Sequence, residues 1–511
     1  MRMNPSYDKS NRVVIVGGGP AGVSAFGALV RRGPIAEITV VDPIPVGLGN
    51  VYGDLFASDP ILLCNTPTGF MYLDDTARAD FLDYLVDRGW PVGLDDHLPR
   101  FLFGQYCRDR FQQFRDEAER AGTLVRVVES LAESVTQTGD GYQVALSSGD
   151  VLTATDVVLC VGLKTPKLAP LVEQYEGNER LLRGSYPASR VRELEPESRV
   201  LVLGVRSSAQ DTMAMLCRDG HTVVATSPSG RLSAVRDRCS VPAEAKLDRE
   251  KWLALDPEDP EIVSKVTQYL VDDVLTAGEG RELTQQIVSE APDTLSRLEA
   301  ELTQAVSGDT RWADLTYEGL FTLNSLVGPW GPDARAKLMP LAYPILTHYV
   351  NALPVLTARN LVANIKAGRT LIKDVFVEKV LEADNGFDVT WNDGTVERFD
   401  YIVSTSGFHF PRFVTDDGRT IRFTHDGAIG EDTLVGLTKD LRLDLRGNGE
   451  AERIWAIGAA CGQRYPFAHV IMLAAAQAPH VAAMLVDGEV GNVEEIAPTY
   501  GAIQTRMAVG A

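Results

Sequence analysis

The chain has 511 residues, with 70 acidic against 49 basic side chains and a formal charge of -21. That excess of acid argues against a phosphate-neutralising face, so no nucleic-acid partner is expected. A hydrophobic share of 45% with 23% charged residues describes an ordinary globular protein of about two to four domains.

Six cysteines are scattered along the chain with no Cys-x-x-Cys pair, which weighs against a disulfide scaffold, a zinc cluster and a CxxC-type disulfide reductase, and no metal site is expected. The first eleven residues are polar and lack the apolar core of a signal peptide, so a cytoplasmic location is expected. The apolar run Val13 to Val30 is interrupted by glycines, Pro20 and Ser24, which fits a glycine-rich turn better than a membrane span.

In chain order, VVIVGGGPAG at 13–22 comes first, a β-branched run entering Gly17-x-Gly19-x-x-Gly22. A helix follows to Arg31 and Arg32, with Gly33 as its cap. Gly17 permits the tight turn, Gly19 admits a pyrophosphate close to the backbone, and Gly22 lets the helix pack against the strand. The free amides and dipole of the helix start, where Pro20 and Ala21 stand, favour that anion. A second strand ends at Asp42, placed to accept the ribose hydroxyls of an adenosine. The motif GGGPAG resembles the FAD-binding turn of two-dinucleotide flavoproteins, and that resemblance selects FAD here.

Two stretches then echo one another: Gly141 to Gly162, and Gly386 to Gly407. Each begins with alternating apolar residues, passes a turn and ends in a strand stopping at glycine, so Gly407 is expected where the chain crosses beneath a nucleotide; two unrelated hairpins are the alternative. Between them RVLVLGVRSSAQDTM, 199–213, is a second β run into a degraded motif, Gly204-x-x-x-x-Ala209, with Arg206 in place of the second glycine and Ser207 and Ser208 opening a helix. The next strand ends without an acid and is followed by Arg231, a pattern that favours a 2'-phosphate and hence NADPH; solvated surface charge is the other reading of Arg206 and Arg231.

From Val241 to Pro354 the periodicity turns helical, and this segment is expected as a lid or substrate wall. The carboxy-terminal part runs from a strand into Gly458, a loop, and an Ala-rich helix from about Phe467. A helix there directs its positive end at a flavin, with His469 in its first turn as a candidate flavin neighbour or a structural histidine. The expected fold is therefore α/β: two Rossmann-like dinucleotide-binding domains with a mainly helical insertion. The FAD domain is assigned to 1–180 and 360–511, the NADPH domain to 181–240 and part of 330–360, and the insertion to 241–355.

The order of parts resembles the class B flavin monooxygenases, especially those that N-hydroxylate amines of amino acids and diamines. The segment MYLDDTARADFLDYLVDRGWP with LPRFLFGQYC, and DYIVSTSGF at 400–408, are similar to segments of that family. GLGNVYGD, ILLCNTPTGFM and VGLKTPK are similar to a broader bacterial FAD-NAD(P)-binding group that includes amino-acid N-oxygenases. Pro187 stands near the place of the family's fingerprint histidine, and the Baeyer-Villiger fingerprint is absent. The resemblance implies an NADPH-consuming N-monooxygenase of biosynthetic metabolism, with an amine or amino acid and O2 as partners and a homo-oligomer as a possible assembly. A flavoprotein reductase, and a flavin-binding regulator without turnover, are the alternatives. No catalytic residue is assigned.

Overall fold

The computed structural model describes residues 11–53, 58–163, 166–228, 230–238, 248–277, 291, 293–308, 310, 312–328, 330, 337–338, 340, 348–425, 434–447, 449–465 and 467–488. Strand β1 (Arg12–Val16), helix α1 (Pro20–Arg32) and β2 (Glu37–Val41) form the expected opening, followed by two short helices, α2 (Gly49–Tyr52) and α3 (Asp80–Val86), and the long α4 (Arg100–Arg120). β3 (Leu124–Val128) lies beside β2, and after a meander of β4 (Ala132–Thr138), β5 (Gly141–Leu146) and β6 (Val151–Ala154) the chain returns as β7 (Asp156–Leu159). β1, β2 and β7 are β-branched and buried on both faces, which a parallel sheet covered by helices requires.

The second domain repeats the plan. β8 (Leu181–Arg183), the short α5 (Ala188–Arg192), β9 (Arg199–Leu203), α6 (Ser207–Arg218) and β10 (Thr222–Thr226) precede the excursion, which leaves along β11 (Val235–Arg236) and returns along its partner β12 (Leu353–Pro354). Within it lie α7 (Arg249–Leu253), α8 (Ile262–Ala277), α9 (Thr294–Val306) and α10 (Trp312–Val327), the helices expected there. Leu298 and Ala305 of α9 pack into the second domain's core, whereas Ile262 and Val266 of α8 and Leu323 of α10 pack with Phe70, Tyr72 and Met472 of the first. The insertion thus joins both domains.

α11 (Val355–Lys366) then leads to β13 (Thr370–Lys373), a second meander of β14 (Val377–Ala383), β15 (Gly386–Trp391) and β16 (Val396–Phe399), and β17 (Tyr401–Ser404). The second sheet has the order β13-β10-β9-β17-β8. The assignment of 360 onward to the first domain is therefore corrected: β13 and β17 are the parallel neighbours that β10 and β9 need, and the first domain resumes only after β17. There β18 (Arg412–Val414) and β19 (Thr420–Thr424) extend the first meander, β20 (Gly436–Leu437) pairs with β21 (Leu443–Asp444), and β22 (Ile454–Ala456) completes the first sheet as β22-β7-β1-β2-β3. The closing α12 (Ile471–Asp487) packs along α1. No described helix is long and apolar enough to cross a membrane.

The echo is structural. Gly141 and Gly386 open the middle strands of the two meanders, and at each a Cβ would overlap a carbonyl oxygen, that of Ala154 or of Phe399. Only glycine allows the third strand that close.

Candidate functional site

Both glycine turns open on one cavity of about 1820 Å³. At the first, Gly17 has φ +103° and its Cβ would stand 2.5 Å from the Cys160 carbonyl oxygen, while a Cβ at Gly22 would overlap the Gly17 carbonyl. A Cβ at Gly19 would meet nothing nearer than 3.7 Å, because that glycine faces the cavity. Pro20 begins α1, and no side chain caps the helix, so its first amides stay available to an anion. Asp42 lines the cavity and accepts the amide hydrogens of Gly18 at 2.6 Å and Ile44 at 2.9 Å. Its carboxylate thus braces the glycine turn, and a carboxylate's further lone pairs leave room for a ribose hydroxyl.

At the second, Gly204 has φ +132° and its Cβ would overlap the Thr405 hydroxyl. α6 also lacks a side-chain cap. The Ser207 hydroxyl at its start is buried, lines the cavity and has no hydrogen-bond partner among the described residues, as a phosphate-binding hydroxyl would. Gly204, Arg206, Ser208, Gly407, Gly458, Ala21 and His469 line the same cavity. Gly22 lies behind the turn, and Arg231 is exposed and outside the wall.

Arg231 nevertheless belongs to a basic cluster. Burial, with the charges of Arg206 and Arg231 and a smaller share from Arg297, pushes His348 down to about 4. Beside them burial pushes the Glu301 carboxyl up to about 7, although it accepts the Val235 amide at 3.2 Å. Because the folded state holds this proton and the unfolded state, at about 4.5, releases it, the contribution is complete below pH 4.5 and is lost as pH rises to 7. Glu301→Gln is expected to flatten thermal stability across that window and to exceed the wild type at pH 8 by up to about 3 kcal/mol. Melting curves from pH 4 to 8 check this, and parallel curves for both proteins would refute it.

His469 stands before α12, not in its first turn: the Phe467 amide donates to Asn324 of α10 at 3.3 Å, and Val470 is still extended. His469 is exposed into the cavity it lines, with the Phe410 ring 5.9 Å and the Phe467 ring 6.4 Å away. Desolvation against that wall holds its imidazole below the ordinary value, so a neutral ring is presented there at neutral pH.

Other wall residues carried no sequence signal. Arg100 and Tyr186 line the cavity. Arg100 donates to the Leu63 carbonyl at 3.0 Å, to the Tyr186 hydroxyl and to Asp211 of α6 at 2.8 Å, and Tyr186 donates to that same carboxylate. This buried triad ties the first domain to the helix of the second glycine turn. Asp59 with Arg218 adds a second tie between the same parts. The described cysteines are unpaired and buried, and burial raises their thiols, Cys64 in the wall to about 12. No group of described residues could hold a metal ion.

Residues 14–164 match the FAD-NAD(P)-binding family. Ornithine hydroxylase from Pseudomonas aeruginosa superposes with a TM-score of 0.56 at 13% identity, over 93% of this chain and 99% of that one. The chain has the fold of a two-dinucleotide-binding flavoprotein. L-lysine 6-monooxygenase from Pseudomonas syringae shares that flavoprotein fold, with a TM-score of 0.50 at 14% identity over 93% and 99% of the two chains. No curated protein matches in sequence.

Proposed function

We propose that the chain is an FAD-dependent, NADPH-consuming monooxygenase that N-hydroxylates an amine or amino acid in biosynthetic metabolism. The observation that carries this is the opening of two glycine turns, from two separate parallel sheets, on one cavity. Such an arrangement lets a nicotinamide meet a flavin without a relay. Burial keeps the described thiols protonated, which argues against a disulfide relay among them, since the thiolate is the reactive form. The fold shared with ornithine hydroxylase and lysine 6-monooxygenase supports the oxygenase reading.

In this reading the start of α1, with Gly19, Pro20 and Ala21, binds the FAD pyrophosphate, and Asp42 its ribose. Gly204, Arg206, Ser207 and Ser208 take the pyrophosphate of NADPH, and Arg231 its 2'-phosphate. Gly407 and Gly458 let the backbone come close to the flavin, and His469 holds a neutral hydrogen-bonding ring beside it. When bound, the flavin supplies hydride acceptance and oxygen activation. The balanced reaction takes amine, O2, NADPH and a proton to hydroxylamine, water and NADP+. The Phe408, Phe410 and Met71 side chains of the wall exclude water from that space.

The test is oxygen uptake by the purified holoenzyme against a panel of amino acids and diamines. One hydroxylamine per O2 and per NADPH with one of them is expected. If every amine leaves the rate unchanged and all oxygen is recovered as hydrogen peroxide, the proposal gives way to a reductase.

A further inference from the structure

We infer that Phe376 is the stacking platform for the adenine of the nicotinamide dinucleotide, and that Leu131 is its counterpart for the adenine of the flavin dinucleotide. The inference rests on the reading of the second glycine turn as a nicotinamide site and goes on to locate its base.

The internal repeat gives these two residues equivalent positions. Leu131 is the third residue after β3 and the last before β4; Phe376 is the third after β13 and the last before β14. Each precedes by ten positions the glycine that opens the middle strand of its meander, Gly141 or Gly386. β3 and β13 also correspond, as each is the edge strand next to the strand that follows the glycine-turn helix.

Both side chains are large, apolar and exposed, Leu131 at 40% and Phe376 at 51%, and both line the common cavity. Exposed apolar side chains are ordinary when scattered, and Leu371, Leu381 and Val396 nearby fit that description because none reaches the cavity. Phe376 differs in being held at the cavity wall. The Thr226 hydroxyl at the end of β10 donates to the Val375 carbonyl at 2.6 Å, and the Asn392 backbone N–H donates to the Phe376 carbonyl at 3.1 Å. The Val375 and Phe376 carbonyls are therefore pinned, to the end of β10 and to the second meander, while the ring itself is exposed.

In a parallel sheet the dinucleotide lies across the carboxyl ends of the strands, pyrophosphate over the glycine turn and ribose over the next strand. Here these are β9 and β10, so the base continues outward to the end of β13. Thr226, Ser227 and Pro228 line the cavity there together with Phe376. An aromatic ring offers the face of a purine a stacking surface that does not depend on hydrogen-bond readout. The platform would then serve NADPH and NADH alike, and discrimination between them would fall to Arg231.

Equilibrium binding to the oxidised holoenzyme, followed by calorimetry, tests this with NADP+, NAD+ and nicotinamide mononucleotide, the last of which has no adenine. Phe376→Ala is expected to weaken NADP+ and NAD+ by the same factor, about tenfold. It should leave the mononucleotide unchanged, and Phe376→Trp should restore both dinucleotides. Arg231→Ala should weaken NADP+ alone. Wild-type affinity for both dinucleotides in Phe376→Ala would overturn the platform, as would an equal loss for the mononucleotide, which marks a merely structural role. Failure of the wild type to bind either dinucleotide would overturn the nicotinamide site itself, and the platform with it.

Discussion

Gly22→Val is expected to yield a colourless protein, with flavin content down more than tenfold after purification. At this position a Cβ would overlap the Gly17 carbonyl oxygen, which is backbone and cannot swing aside as a flexible side chain can. Relieving the overlap requires moving α1 off β1, and with it the helix amides that would hold the pyrophosphate. The loss is specific to crowding: Gly139 has open space around it, so Gly139→Ala is expected to retain full colour. Flavin absorbance relative to protein absorbance reads both variants. Wild-type flavin content in Gly22→Val would mean that the amino-terminal turn does not hold the flavin.

The second large effect is on stability. Arg100→Ala leaves Asp211 and Tyr186 buried without the guanidinium that links them to the first domain. Burial already pushes the Asp211 carboxyl up against the pull of Arg100, so removing the arginine leaves only the Tyr186 hydroxyl to offset its desolvation. Breaking one partner of a buried pair costs about 3 to 5 kcal/mol. For domains of this size that lowers Tm by roughly 10 °C. Replacing both partners with apolar groups, Arg100→Met with Asp211→Leu, is expected to recover much of the loss, because no charge then remains unpaired. An unchanged Tm in the single variant would show that the triad does not fasten the domains.

The parts legible in the sequence were those that backbone geometry restricts to few residue types. Gly17, Gly22 and Gly204 stand where positive φ or backbone crowding admits little else, so their spacing alone marks both turns. The repeat was legible for the same reason, since Gly141 and Gly386 are forced by the close approach of a neighbouring strand. Long-range contacts were not legible. Arg100, Tyr186 and Asp211 are far apart in the chain and carry no periodic signature, and their meeting depends on how two domains pack. The point of return to the first domain is not legible either, since one helix and a short strand look alike whichever sheet receives them; β13 and β17 reveal their sheet only by pairing. Likewise the Ala-rich run of α12 does not show its start, which a tertiary bond from Phe467 to Asn324 delays past His469.

The central claim is that a nicotinamide dinucleotide and a flavin meet inside one chain. Mixing the yellow holoenzyme with NADPH in the absence of oxygen, and following the oxidised flavin band in a stopped-flow instrument, tests it most directly. The account predicts loss of that band with one equivalent of NADPH, and slower or weaker loss with NADH. An unchanged band with both nicotinamides, in protein that retains its flavin, would contradict it.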